Sequence, residues 1–478
     1  MNHKTTPLFT KLSQFSQQEP ISYHVPGHKN GAIFPKNALN NYDKILPLDL
    51  TELTGLDDLH APSGVIAEAE ELAADFFGAD HTFFLVGGST VGNLAMILAV
   101  CNAGEKIIVQ RNSHKSIING LELSGAMPVF INPEYDKSVG RYTAPNLATL
   151  KQAFQENLDA KAVVLTYPDY FGKTYAIKQM IETAHEYNVP VLVDEAHGVH
   201  FSLGEPFPPS TLKLGADVVV QSAHKMAPAM TMSSFLHITS TRIATESIAH
   251  YLQMLQSSSP SYPLMASLDI ARSFLAQLTP IDVDNIQASV YQLRELMQSN
   301  DFWDLLPYTE TDDLLKLTLH VKQGLSGHDV AQMFEKEGIF PELATHNQVL
   351  FVQGLAPFKD HSKLRSAIKR IKEQLKIGTY HATIDIGRLF TKPMQKLALS
   401  YQTMNQLQPV HVPLKEGIGY VAAEAIIPYP PGIPFILKGE TITANHIEII
   451  EQLLRQGVTI QHRDLNKGIG VFKGEEVT

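Results

Sequence analysis

In "VVVQSAHKMAPAMTMSSFLH", Val218 to His237, a run of three valines ends in Ser222, His224 and Lys225. Such a run predicts a buried strand, and burying a hydroxyl, an imidazole and an ammonium is costly unless each has a partner. A lysine at the mouth of a sheet beside a histidine is a candidate for a depressed pKa and for imine formation with a carbonyl compound. The bland alternative is a lysine solvated at a sheet edge. Four other apolar runs end in the same manner. "TFFLV" leads into Gly87, Gly88, Ser89 and Thr90, and "KIIVQ" into Arg111, Asn112, Ser113 and His114. "AVVLT" leads into Tyr167, Pro168 and Asp169, and "VLVD" into Glu195, Ala196 and His197. Ligands of open α/β sheets bind outside the carboxyl ends of the strands, so five strand ends of this kind predict one site.

The elements that must hold these groups follow from the hydrophobic pattern. Short apolar runs alternate with helical segments such as "VGNLAMILAVC" and "AIKQMIETAHEYN", which predicts βαβ units around a largely parallel, covered sheet. Before this region lies a polar, turn-rich arm over residues 1–50, containing "HVPGHKNG". The α/β domain is expected over 51–300. Beyond it, "DDLLKLTLHV", "SGHDVAQMFEKEG" and "NQVLFVQGL" read as a smaller α+β unit, followed by a strand-helix pairing from "IGYVAAEAIIPYPPGIPFILKGE" into "HIEIIEQLLRQG". These form an expected small C-terminal domain over 301–478.

Composition narrows the partner. The chain has 478 residues and a net charge of -11, with a pI near 6.0. Neither nucleic acid nor an anionic membrane suits such a balance, so a small-molecule substrate is expected. The single cysteine, Cys101, sits in an apolar run and forms no intrachain disulfide, as in a reducing compartment. The N-terminus lacks a signal-type apolar core, and a cytoplasmic location is expected.

Taken singly, the pieces stay ambiguous. "GGSTVGN" suits a phosphate at a helix N-terminus and equally suits a tight turn with an N-cap; no Gly-Lys-Ser/Thr follows, so it is not a Walker loop. Asp194 could cap the next helix, and His114 could be a satisfied structural histidine. His24 and His28 are spaced i, i+4, but the Pro-Gly between them is incompatible with a zincin helix, and no metal site is expected.

Together they match the needs of pyridoxal 5′-phosphate: an amine, a carboxylate for the ring nitrogen, a phosphate cup and a flat group over the ring. Lys225, Asp194, Ser89 with Thr90 and Ser222, and His114 would supply these in turn.

At this point the chain resembles the prokaryotic Orn/Lys/Arg decarboxylases, pyridoxal phosphate enzymes of the aspartate-aminotransferase-like fold type I. The stretches that carry the resemblance include "HVPGHKNG", "FFLVGGSTVGN", "VQRNSHKS", "VDEAHGVHF", "SAHKMAPAMTMSSFLH", "SSSPSYPLMASLD" and "AAEAIIPYPPGIP", spread from about residue 21 to 440. The resemblance implies that Lys225 carries the cofactor, that Asp194 binds the pyridine nitrogen and that His114 stacks on the ring. It implies phosphate-side roles for Ser89, Thr90, Ser222 and His224, with Ser233 nearby, and ring-face positions for Ala196 and His197. It implies a homodimer with shared active sites, to which "HVPGHKNG" and "SPSYPL" contribute across the subunit boundary. The acid-induced relatives carry an extra N-terminal domain, so the chain length resembles the compact branch associated with arginine decarboxylation. Where relatives have "TLPALTGSA", this chain has "MAPAMTMSS", with Met226 and Met232 read as apolar fillers.

The implied activity is decarboxylation of a basic amino acid, L-arginine first, then lysine or ornithine. His224 and Lys225 are the candidate proton donors to the α-carbon. For the distal cation of the substrate a carboxylate is needed, and Glu424 is the first candidate, ahead of Asp57 and Asp58; Tyr262 and His28 are further substrate-side candidates. An aminotransferase would share the lysine and the aspartate. A non-catalytic regulatory homologue is the alternative from another class.

Overall fold

A computed structural model describes residues 1–322, 324–375, 389–390, 392–428, 432–455, 460–461 and 465–473. Tyr429 to Pro431, in the last of the motifs above, lie outside the described residues. The strands of the main sheet are, in chain order, β1 (His81–Leu85), β2 (Lys106–Gln110), β3 (Met127–Ile131), β4 (Val163–Thr166), β5 (Val191–Asp194), β6 (Val218–Gln221), β7 (Ser234–Ile238) and β8 (Met394–Lys396). Two compact units divide the chain: residues 1–100 with 190–279, and residues 101–189 with 280–478. Each unit is thus built from two separate stretches of sequence.

In the first unit the strand order is β1-β7-β6-β5. β5 and β6 are parallel, with Asp194 opposite Val220, and β7 is antiparallel to both β6 and β1. Every residue of β5, β6 and β7 is buried. That explains their near-continuous apolar sequence: both faces of the sheet are covered, so no alternation is required. In the second unit the order is β4-β2-β3-β8, parallel except for β8. The mixed α/β class and the mainly parallel sheet agree with the pattern; β7 runs against β1, β5 and β6, and β8 runs against β3.

The helix Gly88–Val100 is apolar along nearly its whole length and lies close to the sheet. A Cβ at Gly92 would fall 2.8 Å from Leu85 Cδ1 and 2.9 Å from Val220 Cγ1, so glycine alone permits this approach. The helix Val65–Phe77 precedes β1. The arm is more ordered than its polar composition suggests. Residues Pro7–Gln17 form a helix that buries Leu8 and Leu12, and Asp269 Oδ2 accepts the N–H groups of Leu8 and Phe9 at 3.1 and 3.3 Å. Asp269 is paired at 2.7 Å with Arg272, which also donates to the carbonyls of His3 and Thr5.

Among the described residues from about 293 onward, two apolar clusters stand out. Trp303, Leu319 and Phe334 centre one beneath a four-stranded antiparallel sheet. Ile436, Ile450 and Val471 centre the other, under the helix Ala444–Arg455. In the segment read as a strand and helix pairing, the described residues hold the short strands Val421–Ala422 and Ile427–Pro428 and the helix Ala444–Arg455.

Glu70, in the helix Val65–Phe77, is 8% exposed and accepts the Phe84 N–H of β1 at 2.8 Å. Burial pushes its carboxyl up to about 8. Between the ordinary carboxyl range and pH 8 the folded chain thus holds a proton that the unfolded chain has released. Stability falls as pH rises through this window, by up to about 1.4 kcal/mol per pH unit. Glu70→Gln keeps the acceptor for Phe84 and removes the titration. Urea unfolding at pH 5 and pH 8 should show the variant gaining on the parent by several kcal/mol; parallel pH profiles would refute the buried, neutral carboxyl.

Candidate active site

The first unit gathers the lysine and most of its expected companions. β6 ends at Gln221, Ser222 stands at the N-cap of a single helical turn, Ala223–Met226, and Lys225 lies in that turn. Lys225 Nζ is 3.1 Å from His197 Nε2, a ring that is itself 7% exposed. The imidazole can exchange a hydrogen bond with the amine whichever nitrogen carries the proton, so the contact positions the Lys225 nitrogen at the end of β6.

Asp194 ends β5 and is 4% exposed. Its Oδ2 accepts from Asn93 Nδ2 at 2.9 Å and its Oδ1 from the Ala196 N–H at 3.2 Å. These two donors fix the orientation of the carboxyl group. Ser222 Oγ donates to Ser89 Oγ at 2.8 Å, bringing together two of the expected phosphate-side hydroxyls. Thr90 is exposed in the first turn of its helix. His224 Nδ1 lies 3.0 Å from the Ser233 carbonyl, and Ser233 Oγ donates to the Leu264 carbonyl while contacting Ser267 Oγ at 2.9 Å.

His114 belongs to the second unit. It caps the helix Lys115–Ser124, with Nδ1 accepting the Ser116 N–H at 3.2 Å. The structural role weighed for this histidine takes the form of a helix cap.

Two members of the site carried no signal strong enough to single them out. Asn93 holds Asp194, and its only trace is its place one helical turn after Ser89 in "GGSTVGN". Glu195 is fully buried and accepts from Ser210 Oγ, Gln221 Nε2, and the Thr211 N–H and hydroxyl. Gln221 continues to His237 Nε2 at 3.2 Å, and His237 Nδ1 to Thr82 Oγ1 at 2.8 Å. The side chains of β1, β7 and β6 and the residue after β5 are thus tied in spatial order across the sheet. Burial pushes His237 down to about 3, so its ring is neutral and able to accept from Thr82 while donating to Gln221. This chain fixes the strand ends from which Asp194 and Ser222 project.

The substrate-side candidates each have a partner within the chain. Tyr262 is 0% exposed and its hydroxyl donates to the Asp57 carbonyl at 2.6 Å, an interior role rather than an open contact surface. Asp57 accepts the N–H groups of Asp58, Ser63, Gly64, Ile66 and Ala67. Burial opposes its ionisation, but the backbone donors outweigh that and hold the carboxyl below its usual range, as expected of a helix cap. His28 Nε2 pairs with Asp49 Oδ2 at 3.2 Å. Glu424 in the second unit is about one-third exposed and accepts the Gly470 N–H at 2.6 Å.

Met232 is more than a filler. Its φ is +79°, and its carbonyl accepts the Gly88 N–H at 2.8 Å. The left-handed region costs a side-chain-bearing residue about 1–2 kcal/mol. Met232→Gly should raise stability by up to about 1 kcal/mol after the added chain entropy of glycine is counted. A lowered urea midpoint would contradict this.

Residues 6–312 match the family description "Orn/Lys/Arg decarboxylase, major domain", and residues 384–462 match "Orn/Lys/Arg decarboxylase, C-terminal domain". The chain belongs to the Orn/Lys/Arg decarboxylase family. It is an amino-acid decarboxylase. This decarboxylase is 44% identical over 467 residues to "Uncharacterized protein YaaO" of Bacillus subtilis, covering 95% of this chain and 96% of that one. It is 36% identical to "Arginine decarboxylase" of the same organism, covering 96% of each. Among solved structures it is similar to the constitutive lysine decarboxylase of Escherichia coli, with a TM-score of 0.81 and 18% identity over 98% of this chain and 82% of that one. This likeness shows the fold, with its large mainly parallel sheet and smaller C-terminal region.

Proposed function

We propose that this decarboxylase converts L-arginine to agmatine and carbon dioxide, using pyridoxal 5′-phosphate carried on Lys225, as a cytoplasmic homodimer. The observation that carries the reading is the Lys225–His197 contact at 3.1 Å beside a buried, doubly hydrogen-bonded Asp194 on the adjacent strand. The residues fit the cofactor: an amine for its aldehyde, a carboxylate for its ring nitrogen, and the Ser89 and Ser222 hydroxyls for its phosphate. Once bound, it supplies an electron sink for the charge left on the α-carbon when carbon dioxide departs.

The protein groups do the rest. Asp194 holds a proton on the ring nitrogen by its negative charge, and Asn93 keeps that carboxylate oriented. His114 is the proposed stacking group, and Ala196 with His197 the opposite wall. His224 or the released Lys225 returns a proton to the α-carbon. On the substrate side Glu424 is the proposed partner of the distal cation, with His28 near the site of a second subunit. A homodimer is supported by Ile21, Tyr23 and Val25, which are 64 to 93% exposed within and beside "HVPGHKNG", as residues awaiting a protein partner would be. A reducing location is supported by the single cysteine, buried with its thiol pushed up to about 12.

The named arginine decarboxylases support arginine over lysine: they match at 34 to 36% across more than nine-tenths of this chain, whereas the lysine decarboxylase of Pseudomonas aeruginosa matches at 27% over 62% of it. Incubating the purified protein with arginine, lysine and ornithine separately and identifying the amine tests the reading. Agmatine is expected; cadaverine or putrescine as the main product would reassign the substrate, and an amine appearing only with a keto-acid acceptor would point to transamination.

A further inference from the structure

We propose that the second unit binds a small carboxylate with a flat apolar body, in a cavity walled by Arg141, His328 and His346 on one side and Tyr142, Phe390 and Phe435 on the other. The cavity measures about 220 Å³, well above the roughly 10–15 Å³ that one water requires. Its wall is largely apolar, with a few polar groups, the usual make-up of a small-molecule site.

The polar side is built and incompletely satisfied. Arg141 has a side-chain exposure of 11% and uses Nη2 to pair with Asp169 Oδ2 at 3.2 Å, while Phe171 lies under its guanidinium at 4.2 Å from the ring centroid. Its Nε and Nη1 are buried and have no hydrogen-bond partner among the described residues, and the same holds for His328 Nε2 and His346 Nε2. Buried donors left in this state are costly, and in native structures each calls for an explanation. Asp169, just beyond the end of β4, holds this arginine and accepts the Phe171 and Lys173 N–H groups.

The charge of the occupant follows. Burial lowers both histidines, His346 to about 4, so both rings are neutral at pH 7 and Arg141 brings the positive charge to the wall. A cation is disfavoured. A metal ion is not indicated, since among the described residues no three His, Cys, Asp or Glu side chains come together as ligands. A carboxylate can accept from Arg141 and from an imidazole N–H. The aromatic side is preset: Phe390 meets Tyr142 edge-on at 4.9 Å, and Tyr142 meets Tyr135 at 5.3 Å, so a flat apolar body finds a rigid surface.

The test uses the cofactor-loaded protein and three probes of one shape: phenylacetate, phenylacetamide and phenethylamine, titrated by saturation-transfer NMR. Saturable phenylacetate binding is expected, with the amide and the amine at least about tenfold weaker, as loss of a charge-assisted pair requires. Arg141→Met combined with Asp169→Asn removes both charges together and should weaken phenylacetate at least about tenfold. His346→Phe, which leaves the ion pair intact, should weaken it several-fold and serves if the double variant fails to fold. Equal binding of the three probes, no saturable binding of phenylacetate, or binding unchanged in His346→Phe would each overturn the proposal.

Discussion

Lys225→Ala should yield a folded protein that has lost the visible absorption of bound pyridoxal phosphate and has decarboxylase activity reduced on the order of 10³-fold or more. The size of the effect follows from the two tasks proposed for one nitrogen: attachment of the cofactor, and return of a proton after carbon dioxide leaves. Neither task passes easily to a neighbour. His197 is close, but an imidazole Nε2 at 3.1 Å from the missing amine offers no primary amine to the aldehyde. Removing a half-buried side chain from a one-turn helix leaves β5, β6 and the Glu195 chain of hydrogen bonds untouched, so the thermal midpoint should move little. An unchanged visible spectrum in this variant would end the reading of Lys225 as the anchor, whatever the activity.

Asp194→Asn should separate binding from catalysis. The substitution keeps the shape and the acceptor for the Ala196 N–H, and it keeps Lys225, so the protein should still colour with pyridoxal phosphate. What it removes is the negative charge that holds a proton on the ring nitrogen. It also turns an amide toward Asn93 Nδ2, now 2.9 Å from a carboxylate oxygen, and forces one of the two amides to rotate. A fall in kcat of about 10²–10³-fold is expected, the scale of one preorganised electrostatic contact in a buried site. The KM for substrate should change far less, because the charge acts on the reacting centre and not on the distal cation. A drop in KM affinity with kcat preserved would place Asp194 in substrate binding instead.

Much of this could be seen before any coordinates. The parallel strands were legible because both faces are covered, which demands long apolar runs such as "VLVD" and "VVVQ" and leaves polar residues only at their ends. Lys225 and Asp194 stood out for the same reason: a charge beside such a run needs an explanation. The residues that support them did not stand out. Asn93 is one polar residue in an apolar helix, and Gln221, His237 and Thr82 lie in three different strands whose adjacency depends on a crossover order that no local pattern encodes. Tyr262 and Asp57 received partners that sequence did not announce. Their residue types suggest recognition, but the one is held inside by the other's carbonyl, and Asp57 is occupied by five backbone donors.

The division has a physical cause. Residue type and short-range spacing settle what a group is able to do: lysine to form an imine, aspartate to hold a proton, continuous apolar runs to make covered strands. They also settle where polar groups must emerge from an apolar interior, because burial without a partner is penalised wherever it occurs. Long-range pairing settles which partner each group receives. Thr82 meets His237 across 155 residues and Ser222 meets Ser89 across 133, and these meetings turn capable residues into a held arrangement. Arg141 is the clearest case: in sequence it is one surface-type cation among others, and only the fold buries it against Phe171 and Asp169 with two nitrogens left to bind.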